Sequence, residues 1–480
     1  MALLIVKSCL FCNQYTWNPL KSAHLLFSTN LQRQLLSKQR CKGKQKSLIW
    51  QHQSWEERLA DVVTPLWRLD YANQLQVKQK RQERILSQLC GLLAGDLKST
   101  CFGGKPNFPV LSILPSPVLN GYRNKSTFSV NIGPDGNTKT VGFYIGTGRA
   151  NDIICVEGER LLNMPEKHKL VARCYQDFIR TSPLEPCLLF HTGGHWREIT
   201  VRTNAQGHTM AIVYFHPQTL SPTELAEHKA ALVDFFTTGP GSVCQLDSLF
   251  FQESAMTRCT HEESPYQLLH GVPYIYEEIL GFKFRISPDA FFQVNQAAAE
   301  VLYRTIRDLC APSHGTGTVG GGTLLDVCCG TGAIGIIASP RLHRVLGVEL
   351  VEQAVEDARH NSALNNVHNC EFRAGKAEAV LPSLMKDLDN CSGLTAVVNP
   401  ARGGLHYRVV RALRNHSSIR RLVYVSCKPE GEAMRNFREL CCSPDLKKRL
   451  TGEAFTPTLA VPVDMFPHTP HCELVLLFER

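Results

Sequence analysis

From Thr323 to the end of the chain, short apolar runs alternate with amphipathic stretches. That alternation constrains the fold more than any other feature of the sequence. The runs Thr323–Cys328, Arg344–Glu349, Cys370–Ala374, Thr395–Asn399 and Arg421–Ser426 read as strands, with helices between them, of which Val351–Asn365 is the plainest. Strands separated by helices join through right-handed crossovers, so the pattern predicts an α/β, doubly wound parallel sheet. Two last apolar runs, Ala454–Val463 and Glu473–Phe478, are expected to close it as an antiparallel hairpin.

The first strand runs into Leu324-Leu-Asp-Val-Cys-Cys-Gly-Thr-Gly-Ala-Ile-Gly335, with Gly330, Gly332 and Gly335 between strand and helix. Glycines there let the chain turn tightly and bring backbone N–H groups against a ligand at a helix N-terminus. Nineteen residues after Gly330, Glu349 ends the next strand, where an acid can accept both hydroxyls of a ribose. The constellation is compatible with a nicotinamide or flavin dinucleotide or with S-adenosylmethionine. Chemistry elsewhere in the chain must choose between them.

Upstream the grammar differs. Residues 1–50 hold eight basic side chains, and the first acid is Glu56. A basic leader rich in Ser, Leu and Gln is expected to be a disordered mitochondrial transit peptide, whose apolar start is too short to span a membrane. The formal charge of +9 comes from 52 Lys and Arg against 43 Asp and Glu. Without the leader's eight, 44 basic residues face 43 acidic ones, so most of the charge excess belongs to the leader. Residues 51–120 read as a helical segment and linker, with Pro65 separating two helices and the basic run Lys78-Gln79-Lys80-Arg81 feeding the apolar run Ile85, Leu86, Leu89, Leu92 and Leu93. Residues 121–270, with β-type runs such as Thr127–Asn131, Val141–Ile145, Glu198–Arg202 and Met210–Tyr214 and helical patches at Pro165–Thr181 and Pro222–Phe236, read as a central α+β domain. Gly315–Gly322 reads as a flexible linker. The 19 cysteines are scattered and the lone CxxC, Cys9 to Cys12, has no second pair. Free, mostly buried thiols are expected, with no metal and no iron–sulfur cluster.

Four segments in order carry a family likeness: Phe291-Phe-Gln-Val-Asn295, Asp326-Val-Cys-Cys-Gly-Thr-Gly332, Asn399-Pro-Ala-Arg-Gly-Gly-Leu405 with Val423-Tyr-Val-Ser-Cys-Lys-Pro429, and Asp464-Met-Phe-Pro-His-Thr-Pro-His-Cys-Glu473. Together with Gly121-Tyr-Arg-Asn-Lys125, they resemble the S-adenosylmethionine-dependent RNA (uracil-5-)-methyltransferases over roughly residues 60–480. The resemblance implies a Rossmann-like methyltransferase domain at residues 271–480, S-adenosylmethionine as cofactor, and 5-methyluridine as product. It further implies tRNA, extended to mitochondrial rRNA, as substrate, a matrix location and a monomer.

The chemistry explains the residue types. Uracil C5 is a poor nucleophile until a thiolate adds to C6, and the C5 proton must later be removed so that the thiolate can leave. By the resemblance Cys427 is the nucleophile and Glu473 the general base. Lys428 would favour the thiolate unless it points to solvent. Gln293, Glu349, Asn399, Gly330, Gly332 and Cys328 are the implied cofactor contacts. Arg123, Lys125 and Arg402 are the candidate RNA contacts, and Tyr122 or Phe128 the candidates to stack on a base flipped out of folded RNA. His468 and His471 have no third ligand spaced to hold a metal. One departure stands out: the family reads Asp-Pro-Pro-Arg where this chain has Asn399-Pro-Ala-Arg402, which removes a charge but keeps a hydrogen-bonding side chain. That change also admits a non-catalytic RNA-binding or chaperone descendant of the family, while the glycine turn alone admits an NAD-dependent oxidoreductase.

Overall fold

The computed structural model describes residues 53–93, 101–102, 105–146, 153–188, 193–255, 263–310, 321–388 and 393–480. The leader and most of the glycine-rich stretch before Thr323 lie outside the described residues.

The central region forms a seven-stranded sheet from β1 (Lys125–Asn131), β2 (Thr140–Ile145), β3 (Ile154–Val156), β4 (Trp196–Thr203), β5 (Thr209–Phe215), β6 (Ser248–Glu253) and β7 (Gln267–Gly271), in the order β3-β2-β1-β4-β5-β6-β7. The strands are antiparallel except for the β5–β6 pair, which the helix Pro222–Thr237 connects as a parallel crossover. Its core gathers Trp196, Phe215, Phe251 and Tyr175. Phe128 is fully buried there, its ring 5.1 Å from that of Phe143. Tyr122 is buried as well, its hydroxyl donating to the Pro467 carbonyl at 3.0 Å. Neither ring is free to stack on a base. Phe128 occupies an inward position of β1, filled by the core before any ligand can use it, and Tyr122, ahead of that strand, is held by its bond to Pro467.

A hairpin of β8 (Ile275–Ile279) and β9 (Phe282–Ile286) then leads into the second sheet. That sheet holds β10 (Thr323–Val327), β11 (Arg344–Glu349), β12 (Cys370–Ala374), β13 (Leu394–Val398), β14 (Ile419–Ser426), β15 (Thr456–Val463) and β16 (Glu473–Glu479). The order is β12-β11-β10-β13-β14-β16-β15, with five parallel strands and β16 inserted antiparallel between β14 and β15. Every residue of β10 and β13 is buried, as expected of parallel strands covered on both faces. The final hairpin is as expected. The strand ends differ from the reading of the sequence by one or two residues.

The two helices before the central sheet go to different bodies. α1 (Trp55–Val63), started by a Ser54–Glu57 capping box, buries Leu59 and Ala60 in the core of the central sheet. α2 (Tyr71–Leu93) buries Ile85, Leu86, Leu89 and Leu93 in one core with Leu384, Val409 and Leu440 from the helices that cover the second sheet, and packs against the helix Glu432–Cys441. The segment after it also joins that sheet, through bridges from Val110 to Ala460 and Leu114 to Val463. Helix α2 therefore completes a helical layer formed mainly by residues more than 280 positions away. No helix among the described residues is long and apolar enough to cross a membrane.

Candidate active site

Contacts link the turns that leave the carboxyl ends of β10, β11, β13 and β14. At the end of β10 the chain enters a left-handed turn, with Cys328 at φ 63°, Gly330 at φ 56° and Gly332 at φ 81°. A Cβ on Gly332 would come within 2.8 Å of the Phe372 ring, so that glycine is needed for packing as well as for backbone geometry. A Cβ on Gly330 would meet nothing within 4 Å, so its outer surface is an open cradle of backbone. Glu349 is turned toward it: one carboxylate oxygen accepts from Gly330 N at 3.0 Å, the other from Leu350 N at 2.7 Å and Val351 N at 3.1 Å. Under the turn lies Asp326, fully buried, accepting from Gly335 N with one oxygen while the other has no protein partner. Burial pushes its carboxyl up to about 7. An open glycine turn with an acid beside it and an unpartnered acid oxygen below it fits the polar half of an adenosyl ligand.

The thiol and carboxylate come from neighbouring strands. Ser426, the last residue of β14, pairs with Leu474 of β16. Cys427 and Glu473 are the next residues beyond that last pair, and they are close enough for the Glu473 charge to act on the thiol. Glu473 is 5% exposed and burial lifts its carboxyl to about 8, with Arg402 opposing the rise. Burial and the facing Glu473 lift the Cys427 thiol to about 11, while Arg402, which hydrogen-bonds the sulfur, pulls the other way. Lys428 is exposed, so the cation on the thiol is Arg402 rather than the neighbour in sequence. Arg402 itself sits in the exposed turn after β13, four residues past Val398. Asn399, half-buried, opens that turn with its N–H on the Val327 carbonyl at 3.3 Å.

Gln293 approaches from the segment before the helix Gln296–Cys310. It is buried, and its side chain hydrogen-bonds the Tyr303 hydroxyl. Tyr303 faces both Asp326 and Glu473, whose charges join burial in raising its phenol. The segment is fastened to the central sheet by Asn124, whose side chain donates to the Gln293 carbonyl at 2.9 Å and whose N–H donates to Val294 at 2.9 Å. Arg123 bridges to Asn295, and Lys125 begins β1 three positions before the buried Phe128. Both are half-buried, Arg123 where the central sheet meets the segment that carries Gln293. Phe291, two residues before Gln293, is 63% exposed, the most exposed aromatic ring among the large hydrophobics.

Reading the sequence missed Asp326, Tyr303 and the whole contribution of helix α2. The Asp464–His471 segment that delivers Glu473 is gripped by that helix. Lys78 and Asp464, both fully buried, form an ion pair at 2.5 Å. The available signal was Lys78 itself, a charge four residues after Gln74 and seven before Ile85, on the same stripe as the apolar positions. Thirteen cysteines among the described residues are free and mostly buried, and among the described residues no His, Cys, Asp and Glu group is placed to hold a metal ion.

The parallel sheet, its reversed final hairpin and the glycine turn define an S-adenosylmethionine-dependent methyltransferase with a Rossmann-like domain, and residues 319–399 match a methyltransferase domain family. A zebrafish protein named tRNA (uracil-5-)-methyltransferase homolog B is 68% identical over 427 residues, spanning 89% of this chain and 88% of its own. The human homolog B is 58% identical over 89% of this chain and 84% of its own, and the mouse homolog A 43% identical over 88% and 69%. The chain belongs to the tRNA (uracil-5-)-methyltransferase family. The Pyrococcus abyssi tRNA (uracil-54, C5)-methyltransferase, solved with S-adenosyl-L-homocysteine, shares the fold at a TM-score of 0.60 and 24% identity, covering 86% of this chain and 84% of that one.

Proposed function

We propose that this chain methylates uridine at C5 in mitochondrial tRNA, and by extension mitochondrial rRNA, through a covalent adduct between Cys427 and C6. The observation that carries the reading is the juxtaposition of Cys427 and Glu473 across β14 and β16, with Arg402 on the sulfur. S-adenosylmethionine, when bound, supplies an electrophilic methyl group. Gly330, Gly332, Cys328, Glu349, Asn399 and Gln293 are the residues to hold it, Glu349 on the ribose.

Arg402 opposes the rise of the Cys427 thiol and, once its proton is lost, stabilises the thiolate by a charge-assisted hydrogen bond. The thiolate forms a bond to C6, and the C5–C6 π electrons shift toward C5 and O4, making C5 able to accept the methyl group. The Glu473 carboxylate then removes the C5 proton. The C–H electron pair restores the C5–C6 double bond as the C6–S bond breaks, returning Cys427 as thiolate. Burial suits Glu473 to this step, because a carboxylate with a raised pKa is a stronger base. Exposed Phe291 beside Gln293 is the ring best placed to stack on the extruded uracil, in the role that Tyr122 and Phe128 cannot take. The acid-free leader supports the mitochondrial location.

The test is methyl transfer to an unmodified tRNA transcript, followed by nucleoside mass spectrometry. The native chain is expected to produce 5-methyluridine, and Cys427→Ala none. A native chain that is inactive but becomes active as Asn399→Asp would favour the non-catalytic reading instead. Mapping 5-methyluridine across mitochondrial RNAs with and without the protein assigns the substrate.

A further inference from the structure

Four side chains of helix α2, spaced three, four and three residues apart, form one stripe: Tyr71, Gln74, Lys78 and Arg81. All four contact the segment that ends in Glu473. The Tyr71 hydroxyl donates to Asp464 at 3.0 Å, and Lys78 Nζ donates to the other Asp464 oxygen at 2.5 Å and to the Phe466 carbonyl at 2.9 Å. Gln74 accepts from His468 N at 2.7 Å, and its amide lies 3.2 Å from the His468 ring nitrogen. Arg81 reaches furthest: one guanidinium nitrogen donates to the Pro470 carbonyl at 3.1 Å, the other to the Glu430 carboxylate at 2.5 Å.

The two anchors of Arg81 are placed symmetrically. Glu430 lies three residues after Cys427, and Pro470 three residues before Glu473. A single side chain from a distant part of the sequence thus ties the turn leaving the nucleophile to the turn entering the base. Pairing between β14 and β16 stops at Ser426 and Leu474; Glu473 still pairs with Val463 of β15, but no ladder hydrogen bond runs from it to Cys427, so the ladder does not fix the distance between the two reactive groups.

We infer that Arg81 is a positioning residue, whose bridge between Glu430 and Pro470 holds the Glu473 carboxylate at the distance from the Cys427-bound base that proton removal requires. Lys78, with Tyr71 and Gln74, anchors the start of the same segment, and helix α2 acts as a rigid splint along it. This rests on the nucleophile and base assigned above. It makes a specific kinetic demand: loosening the bridge leaves addition and methyl transfer intact and slows the elimination that frees the product.

The experiment uses Arg81→Met in the full chain, with Arg84→Met as control. Arg84 is exposed on the same helix and its substitution makes the same charge change. Each is incubated with S-adenosylmethionine and ordinary uridine tRNA, and the denaturation-resistant protein–RNA adduct is quantified alongside free product. For Arg81→Met, kcat should fall about tenfold with KM for tRNA within about twofold, while methylated adduct accumulates. Trapping on 5-fluorouridine tRNA, where no C5 proton is available, should keep its native rate, and Arg81→Lys should recover part of kcat. Arg84→Met should match the native chain. An unchanged kcat, a fall in kcat without adduct, or slowed 5-fluorouridine trapping overturns the inference. Glu473→Gln separates the two readings: if it builds up no adduct on ordinary tRNA, the base assignment fails, whatever Arg81→Met does.

Discussion

Replacing Glu473 by glutamine should make the protein more stable and catalytically silent, and the gain should grow with pH. Glu473 is 5% exposed and its carboxyl is lifted from an ordinary 4.5 to about 8 by burial. In the unfolded chain that group ionises freely. A carboxyl whose folded pKa is raised contributes stability that is complete below its unfolded value and is lost as pH climbs through its folded one. At 1.36 kcal/mol per pKa unit, the stability forfeited relative to a neutral side chain is about 1 kcal/mol near pH 5, about 3 near pH 7 and about 5 near pH 9. Glutamine keeps the shape and carries no charge at any of these values. Urea unfolding of both proteins across this range, followed by tryptophan fluorescence, should show curves that converge in acid and separate in base. If Glu473→Gln is less stable than the native chain at pH 9, or the difference does not change with pH, the carboxylate is not the strained, buried base described here.

Other consequences are as direct. Both Glu473 and Cys427 must lose a proton to work, and both are raised, so methyl transfer should increase from pH 6 to pH 9. An optimum near pH 6 in a steady-state pH profile contradicts that. Lys78→Met leaves Asp464 charged, fully buried and short of its cation, and should cost about 3–5 kcal/mol in thermal or urea unfolding. Gly332→Ala forces a Cβ to within 2.8 Å of Phe372 at a φ of 81°, whereas Gly330→Ala meets only open space. The first should therefore unfold at clearly lower temperature than the second, by about 1–3 kcal/mol of stability in differential scanning fluorimetry.

The alternating sheet was legible because parallel strands are buried on both faces and must be written as continuous apolar runs, such as Thr395–Val398. Its antiparallel closing hairpin was legible for the same reason. The reactive pair could be recognised from motif likeness, but their meeting could not. It depends on β16 inserting between β14 and β15, a long-range choice that no local pattern encodes. Helix α2 shows the limit most clearly. Its spacing reveals an apolar stripe from Ile85 to Leu93, yet nothing local says that a sheet more than 200 residues away will cover it. Lys78 and Arg81, which in sequence resemble part of a solvated basic run, are turned inward by that docking and paired with Asp464 and Glu430. Tyr122 and Phe128 fail in the opposite sense: strand alternation takes Phe128 into the core, a bond to Pro467 buries Tyr122, and Phe291 is left outside.

The central claim is that Cys427 attacks uracil C6 while Glu473 waits across the ladder. Incubating the full chain with S-adenosylmethionine and 5-fluorouridine tRNA, then digesting and sequencing the cross-linked peptide by mass spectrometry, tests it most directly. The account predicts one covalent nucleotide adduct, on Cys427, that disappears in Cys427→Ala. An adduct on any other cysteine, or product formation by Cys427→Ala, would contradict it.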